Sequence, residues 1–164
     1  LNSLNSELAK VEGAEVTFDW PGEYETKEIP VIAFQAWTKS KSKEQEEGGE
    51  GDQTIIFCFE MNGIKFCHLG ELGHVLTSDM VKQIGDVDVL MIKVGEGSNL
   101  SAKKATEVIE AIEPRIVIPM GENVPAAALK DLGADKVETQ DNFEINSKGD
   151  LPEDQMRFIV LNKA

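Results

Sequence analysis

Apolar residues fall along this chain in short runs and in helical spacing, and the alternation between the two predicts its elements. Residues 54–60 and 64–68 are apolar runs on either side of Met61-Asn62-Gly63. Asn-Gly supplies the positive φ of a tight hairpin turn, so the two runs are predicted as paired strands. Residues 29–37 read as another strand, with Pro30 tolerated at its first positions or on an edge. Ahead of it, residues 4–10 read as a helix end or irregular lead-in, residues 14–18 as a short strand and residues 19–22 as a turn. Further on, Thr77 is placed to cap a short helix reaching Ile84, Gly85 stops it, and residues 87–94 form a buried strand. Ser101 opens a helix whose Ala105, Val108, Ile109 and Ile112 share one face, ending before Pro114. A strand over 115–119, a helix over 125–132 and strands near 136–138, 143–145 and 156–161 complete the pattern.

Hairpins followed by strand–helix–strand units predict an α+β fold of mixed sheets with helices packed outside them. Residues 38–53 hold Lys, Ser, Glu and Gly with almost no apolar side chain. Such a stretch cannot offset the entropy of ordering, so a mobile acidic and polar loop is expected there. With 164 residues, 41% of them hydrophobic, residues 1–164 are expected to form one domain around one core. No internal repeat is visible.

Charge narrows the partners. Sixteen Lys and Arg against thirty Asp and Glu leave a net charge of −14, which repels phosphate backbones and anionic membranes. Neither nucleic acid nor a membrane is therefore expected as a partner. Cys58 and Cys67 fall on adjacent predicted strands, where they serve either as a disulfide or as small buried apolar residues. A reduced, cytoplasmic protein is expected, with no membrane-length apolar segment and no leader. The chain begins without Met, as a processed or truncated product would.

Both histidines of the chain lie in one glycine-rich turn after the second hairpin strand, His68-Leu-Gly-Glu71-Leu-Gly-His74. Imidazole and carboxylate donors brought together there are candidate metal ligands. The alternative is structural, with His68 hydrogen-bonded near a sheet end and His74 packed on the helix that starts at Thr77. Glu23 and Tyr24 either face a ligand or tie the Pro21-Gly22 turn to the sheet. The Val94-Gly95-Glu96-Gly97-Ser98-Asn99 loop is either an anion cradle or a plain strand-to-helix connection. Trp20 and Trp37 are read as core or interface anchors.

Four segments, 19–25, 55–74, 85–92 and 112–120, resemble in order the metallo-β-lactamase superfamily, and most closely its ascorbate-6-phosphate lactonase-like, zinc-dependent hydrolase branch. The resemblance implies a four-layer αββα sandwich, here lacking its first strands, with metal held by loops at one edge of the central sheets. It implies a His-x-His-x-Asp-His loop, which the chain does not contain, and a bridging Asp where this sequence has Glu71. It implies a single His where Thr38 or Trp37 stands, and a terminal His where Ile118-Pro119-Met120 is followed by Gly121. Glu23 borders the same vestigial site.

Two functions follow as expectations. The first is a metal-free, non-catalytic domain with a binding, assembly or structural role, needing no cofactor and self-associating through exposed sheet edges. The second is a metal-dependent hydrolase of small phosphorylated lactones or esters with an incomplete or remodelled site, in which zinc or manganese binds through Glu71, His68 and His74. A small-molecule sensor using the vestigial cleft is a third reading, and the ligand is unknown.

Overall fold

The computed structural model describes residues 16–40, 49–121, 124 and 126–162. Strands β1 (Gly22–Thr26), β2 (Ile29–Ser40), β3 (Gly49–Met61) and β4 (Ile64–His68) form an antiparallel meander. The chain then crosses through helix α1 (Ser78–Ile84) to β5 (Val89–Lys93) and through α2 (Ala102–Ile112) to β6 (Ile116–Met120), both parallel to β4. Helix α3 (Ala126–Asp131), β7 (Thr139–Gln140), a single 3-10 turn at Lys148–Asp150, β8 (Arg157–Phe158) and β9 (Val160–Leu161) follow. A seven-stranded sheet in the order β1-β2-β3-β4-β5-β6-β8 dominates, and β7 and β9 pair separately. This is the expected α+β architecture, of which the described residues supply the mixed sheet and a helix layer.

Local chemistry explains the elements. Asn62 and Gly63 have φ of 51° and 75°, as a two-residue hairpin turn with the right-handed strand twist requires. The Thr77 hydroxyl accepts from the Met80 amide at 3.2 Å, capping α1, and Gly85 at φ 67° ends it. Such a cap contributes about 1 kcal/mol. The Ser101 hydroxyl does the same for α2, which stops at Glu113 in a left-handed conformation just before Pro114.

Alternation along the strands gives the sheet two apolar faces. Ala36, Ile56, Cys67, Leu90, Ile92 and Val117 face the helices and pack with Ala105, Val108, Ile109 and Ile112 of α2. Ile64, Val89 and Ile116 point the other way and meet Leu151 and Ile159, with Phe143 and Ile145 packed against them. Asp88 ties three strands together: its carboxylate accepts from the Lys65 amide at 2.9 Å, and its carbonyl accepts from the Arg115 and Ile116 amides.

Several expectations need correction. Of the mobile loop predicted over 38–53, residues 38–40 and 49–53 are strand instead, because β2 runs to Ser40 and β3 starts at Gly49, pairing Trp37 with Gln53, Lys39 with Glu50 and Ser40 with Gly49. Ladder hydrogen bonding, which side-chain composition does not reveal, extends both strands; residues 41–48 lie outside the described residues. Residues 16–18 form no strand, and the remainder of that expected strand, like the expected lead-in at 4–10, lies outside the described residues. Residues 136–138 and 143–145 are not strands either, the latter serving as an apolar cover for the sheet. The last expected strand is split by Ile159 into β8 and β9. Among the described residues no helix is long and apolar enough to cross a membrane.

Candidate functional site

Because β4, β5 and β6 run parallel, the loops that leave their carboxyl ends lie side by side, which is where ligands bind in α/β sheets. The Leu69–Val75 turn leaves β4, the Val94–Asn99 loop leaves β5 and Gly121 follows β6. The Val94 amide donates to the Met120 carbonyl at 2.9 Å, and the Asn99 side-chain amide donates to the Glu71 carbonyl at 3.1 Å. A Cβ on Gly121 would sit 2.9 Å from the Val94 carbonyl oxygen, so this position is pressed against the β5 loop.

Glu71 is the centre of that cluster. Its amide donates to the hydroxyl of buried Thr54 at 3.0 Å, which orients the turn. The Lys93 ammonium, at the last residue of β5, donates to both carboxylate oxygens at 2.8 and 2.9 Å. The Asn99 amide adds a longer contact of 3.4 Å to one of them. Lys93 and Glu71 keep 30% and 32% of their side-chain surface exposed, so solvent moderates the attraction.

His74 belongs to the core. It is 1% exposed, its Nδ1 lies 2.8 Å from the Val75 carbonyl, and its Nε2 lies 3.3 Å from the Trp37 amide. A carbonyl can only accept and an amide can only donate, so the ring is neutral with its proton on Nδ1. Burial holds its pKa below the ordinary 6.5, against the opposing pull of the Val75 carbonyl and with some help from the positive charge of Lys104. With both nitrogens engaged, His74 has no lone pair for a metal. His74 thus joins the turn to β2, where packing on the helix that starts at Thr77 was expected, and beside it the Gly73 amide donates to the Trp37 carbonyl at 2.9 Å. The Trp37 ring lies 6.1 Å from its imidazole, centroid to centroid.

His68 lies on the face of the sheet opposite the helices. Its Nδ1 accepts from the Gly70 amide at 3.1 Å, and its ring lines an apolar cleft of about 430 Å³ with Phe18, Val31, Phe57, Phe59 and Met91. Burial lowers its pKa as well, with Glu71 pulling the other way. Thr38 lies at the irregularity in the β2–β3 register, and its carbonyl meets Gly73 at a distance that leaves no room for a Cβ there.

The structure thus gathers Glu71 and Gly121 and sends His68 and His74 to separate neighbourhoods. Glu23 stays exposed on the edge strand β1, opposite Ile32. Tyr24 stacks on Phe18 at 4.4 Å and donates its hydroxyl proton to the Trp20 carbonyl at 2.7 Å, which fastens the turn as the structural alternative expected. The Val94–Asn99 loop is a connection closed on itself, with the Ser98 amide bonded to the Gly95 carbonyl and its hydroxyl to the Lys93 carbonyl. Sequence reasoning missed Lys93 and Asn99. A signal for Lys93 existed, as it is the single cationic residue in the apolar run 87–94.

These donors do not fit a metal ion. No group of three His, Cys, Asp or Glu side chains among the described residues is arranged to hold one. Within this cluster of described residues, the Glu71 carboxylate already carries an ammonium on both oxygens.

Comparison with known proteins gives a consistent relationship. The family model described as a beta-lactamase superfamily domain matches residues 5–121. A UPF0173 metal-dependent hydrolase of Archaeoglobus fulgidus is 23% identical over 133 residues, covering 80% of this chain and 57% of the relative. Another of the same name from Thermococcus onnurineus is 26% identical over 124 residues, covering 71% and 54%. The chain spans about half the length of the curated relatives it matches. A solved Thermotoga maritima structure, provisionally assigned as a Zn-dependent hydrolase of the metallo-beta-lactamase superfamily, superposes with a TM-score of 0.64 at 26% identity, covering 88% of this chain and 70% of that one.

Proposed function

We propose that this chain, which belongs to the metallo-β-lactamase superfamily, is part of a metal-dependent hydrolase of small esters or phosphorylated lactones. The relatives it matches carry that general description, and they support the hydrolase expectation over the non-catalytic one. The observation that carries the reading is the convergence of the turn holding Glu71, the loop holding Asn99 and Gly121 at the carboxyl ends of three parallel strands. In this reading Lys93 and Asn99 orient Glu71, and the described residues give a rigid rim without a complete ligand set. A bound metal would supply an activated water and electrophilic assistance. No step is assigned to it here, because the donors present do not hold it.

The test is metal content and turnover on one preparation. The full-length protein, purified without chelator, is assayed by elemental analysis and against a panel of lactones, phenyl esters and phosphate esters, before and after incubation with zinc or manganese. Metal-dependent turnover is the expected result. Absence of both metal and turnover would overturn it in favour of a metal-free binding or structural domain, the reading favoured by the Lys93–Glu71 pair.

A further inference from the structure

Cys58 and Cys67 stand directly opposite one another on β3 and β4, and both are free thiols. The hairpin turn sets the kind of pair they form. Met61 and Ile64 flank a two-residue loop and are therefore a hydrogen-bonded pair, and alternation along the ladder makes Glu60–Lys65 non-bonded, Phe59–Phe66 bonded and Cys58–Cys67 non-bonded. Non-bonded pairs bring Cα atoms to about 4.5 Å and their side chains closest together. A disulfide spans Cα separations of roughly 4.4 to 6.8 Å. Both thiols point to the helix-covered face.

Their exposure differs. Cys67 is fully buried, whereas Cys58 is half-buried and lines a cleft of about 220 Å³ between the β2–β4 surface and the end of α1, with Pro30, Lys65, Ile84 and Val87. The hydrogen bond that the Cys67 thiol donates to Cys58, together with burial, holds the Cys67 thiol well above its usual pKa.

We propose that Cys58 and Cys67 are a redox-active dithiol site that reacts with a small-molecule disulfide, Cys58 acting first and Cys67 resolving. Cys58 gives up its proton, and its sulfur attacks one sulfur of the small disulfide. That S–S bond breaks, one small thiol leaves with the proton, and a mixed disulfide remains on Cys58. Cys67 then loses its proton and attacks the Cys58 sulfur, the mixed S–S bond breaks, and the second small thiol leaves protonated. Two cysteine thiols are oxidised and one small disulfide is reduced to two thiols. The rigid ladder holds the resolving sulfur against the first, so the mixed disulfide is short-lived. Closing the pair staples the strand that ends at His68 to its neighbour.

Glutathione disulfide is the probe, added to the folded protein, with titratable thiols and intact mass read over time. The wild-type chain is expected to lose both thiols together and gain no glutathione. Cys67→Ser should accumulate the mixed disulfide on Cys58, and Cys58→Ser should stay unmodified while folded. Circular dichroism on each variant confirms that the comparison is between folded chains. A wild-type chain that keeps both thiols, or that stops at a stable glutathione adduct, would overturn the proposal.

Discussion

The Lys93 ammonium straddles the Glu71 carboxylate, 2.8 Å from one oxygen and 2.9 Å from the other, at the meeting point of the β4 and β5 loops. A cation supplied by the chain itself therefore sits on the Glu71 carboxylate. Replacing Lys93 with Met removes the competitor and keeps the apolar stem. Mn²⁺ affinity should rise by about five- to tenfold, the equivalent of an ion pair worth roughly 1 kcal/mol. Calorimetric titration checks this, and adding Glu71→Gln should abolish the gain. Folding stability should change by no more than about 1 kcal/mol, since both side chains are partly solvated. Unaltered Mn²⁺ binding in Lys93→Met would show that the pair does not control access to Glu71.

His74 should behave as a core residue. His74→Ala leaves the Trp37 amide without its acceptor and opens a cavity, so it should lower stability by about 2 to 4 kcal/mol in urea unfolding. An imidazole whose folded pKa lies below its unfolded value favours the folded state while neutral. That contribution is complete above the ordinary pKa of 6.5 and is lost as pH falls through 6.5 towards the lower folded value. His68 has the same sign. Stability should therefore decline on acidification below about pH 6.5, and more gently in His74→Gln. Equal slopes for wild type and His74→Gln would remove His74 from the account.

Gly73 is pinned by the backbone of β2. A Cβ there would collide with the Thr38 carbonyl oxygen. The obstacle is backbone, not the end of a flexible side chain, so Gly73→Ala must push the turn away from β2. A loss of about 3 kcal/mol or more is expected, at the upper end for overpacking. The Trp37 amide should lose exchange protection along with stability. A variant with wild-type stability would show that the turn can relax without its contact to β2.

Much of the fold was legible from short-range chemistry. Asn62-Gly63 announced the hairpin, Thr77 and Gly85 bracketed α1, and Ala105, Val108, Ile109 and Ile112 marked the buried face of α2. The ends of β2 and β3 were illegible because Lys39, Gly49 and Glu50 are held by backbone pairing and bring no apolar signal of their own. At the site, the span from His68 to His74 was visible, but not the fact that one ring points across the sheet and the other is buried by β2. That divergence depends on Gly49 and Trp37, which close around His74 from other parts of the chain. Lys93 was hidden for a similar reason, since its partner lies twenty-two positions away.

One feature of the sheet also bears on how the molecule assembles. β4 pairs antiparallel with β3 across a two-residue turn and parallel with β5 across a whole helix. The first edge closes a very small loop, and the second must wait for a much longer one. Pulse-labelled hydrogen exchange should accordingly protect Phe59 and Phe66, a bonded pair of the hairpin, earlier than Leu90 and Val117. The turn around Glu71 is then the last region to acquire its shape, after both of its flanking strands have found their neighbours.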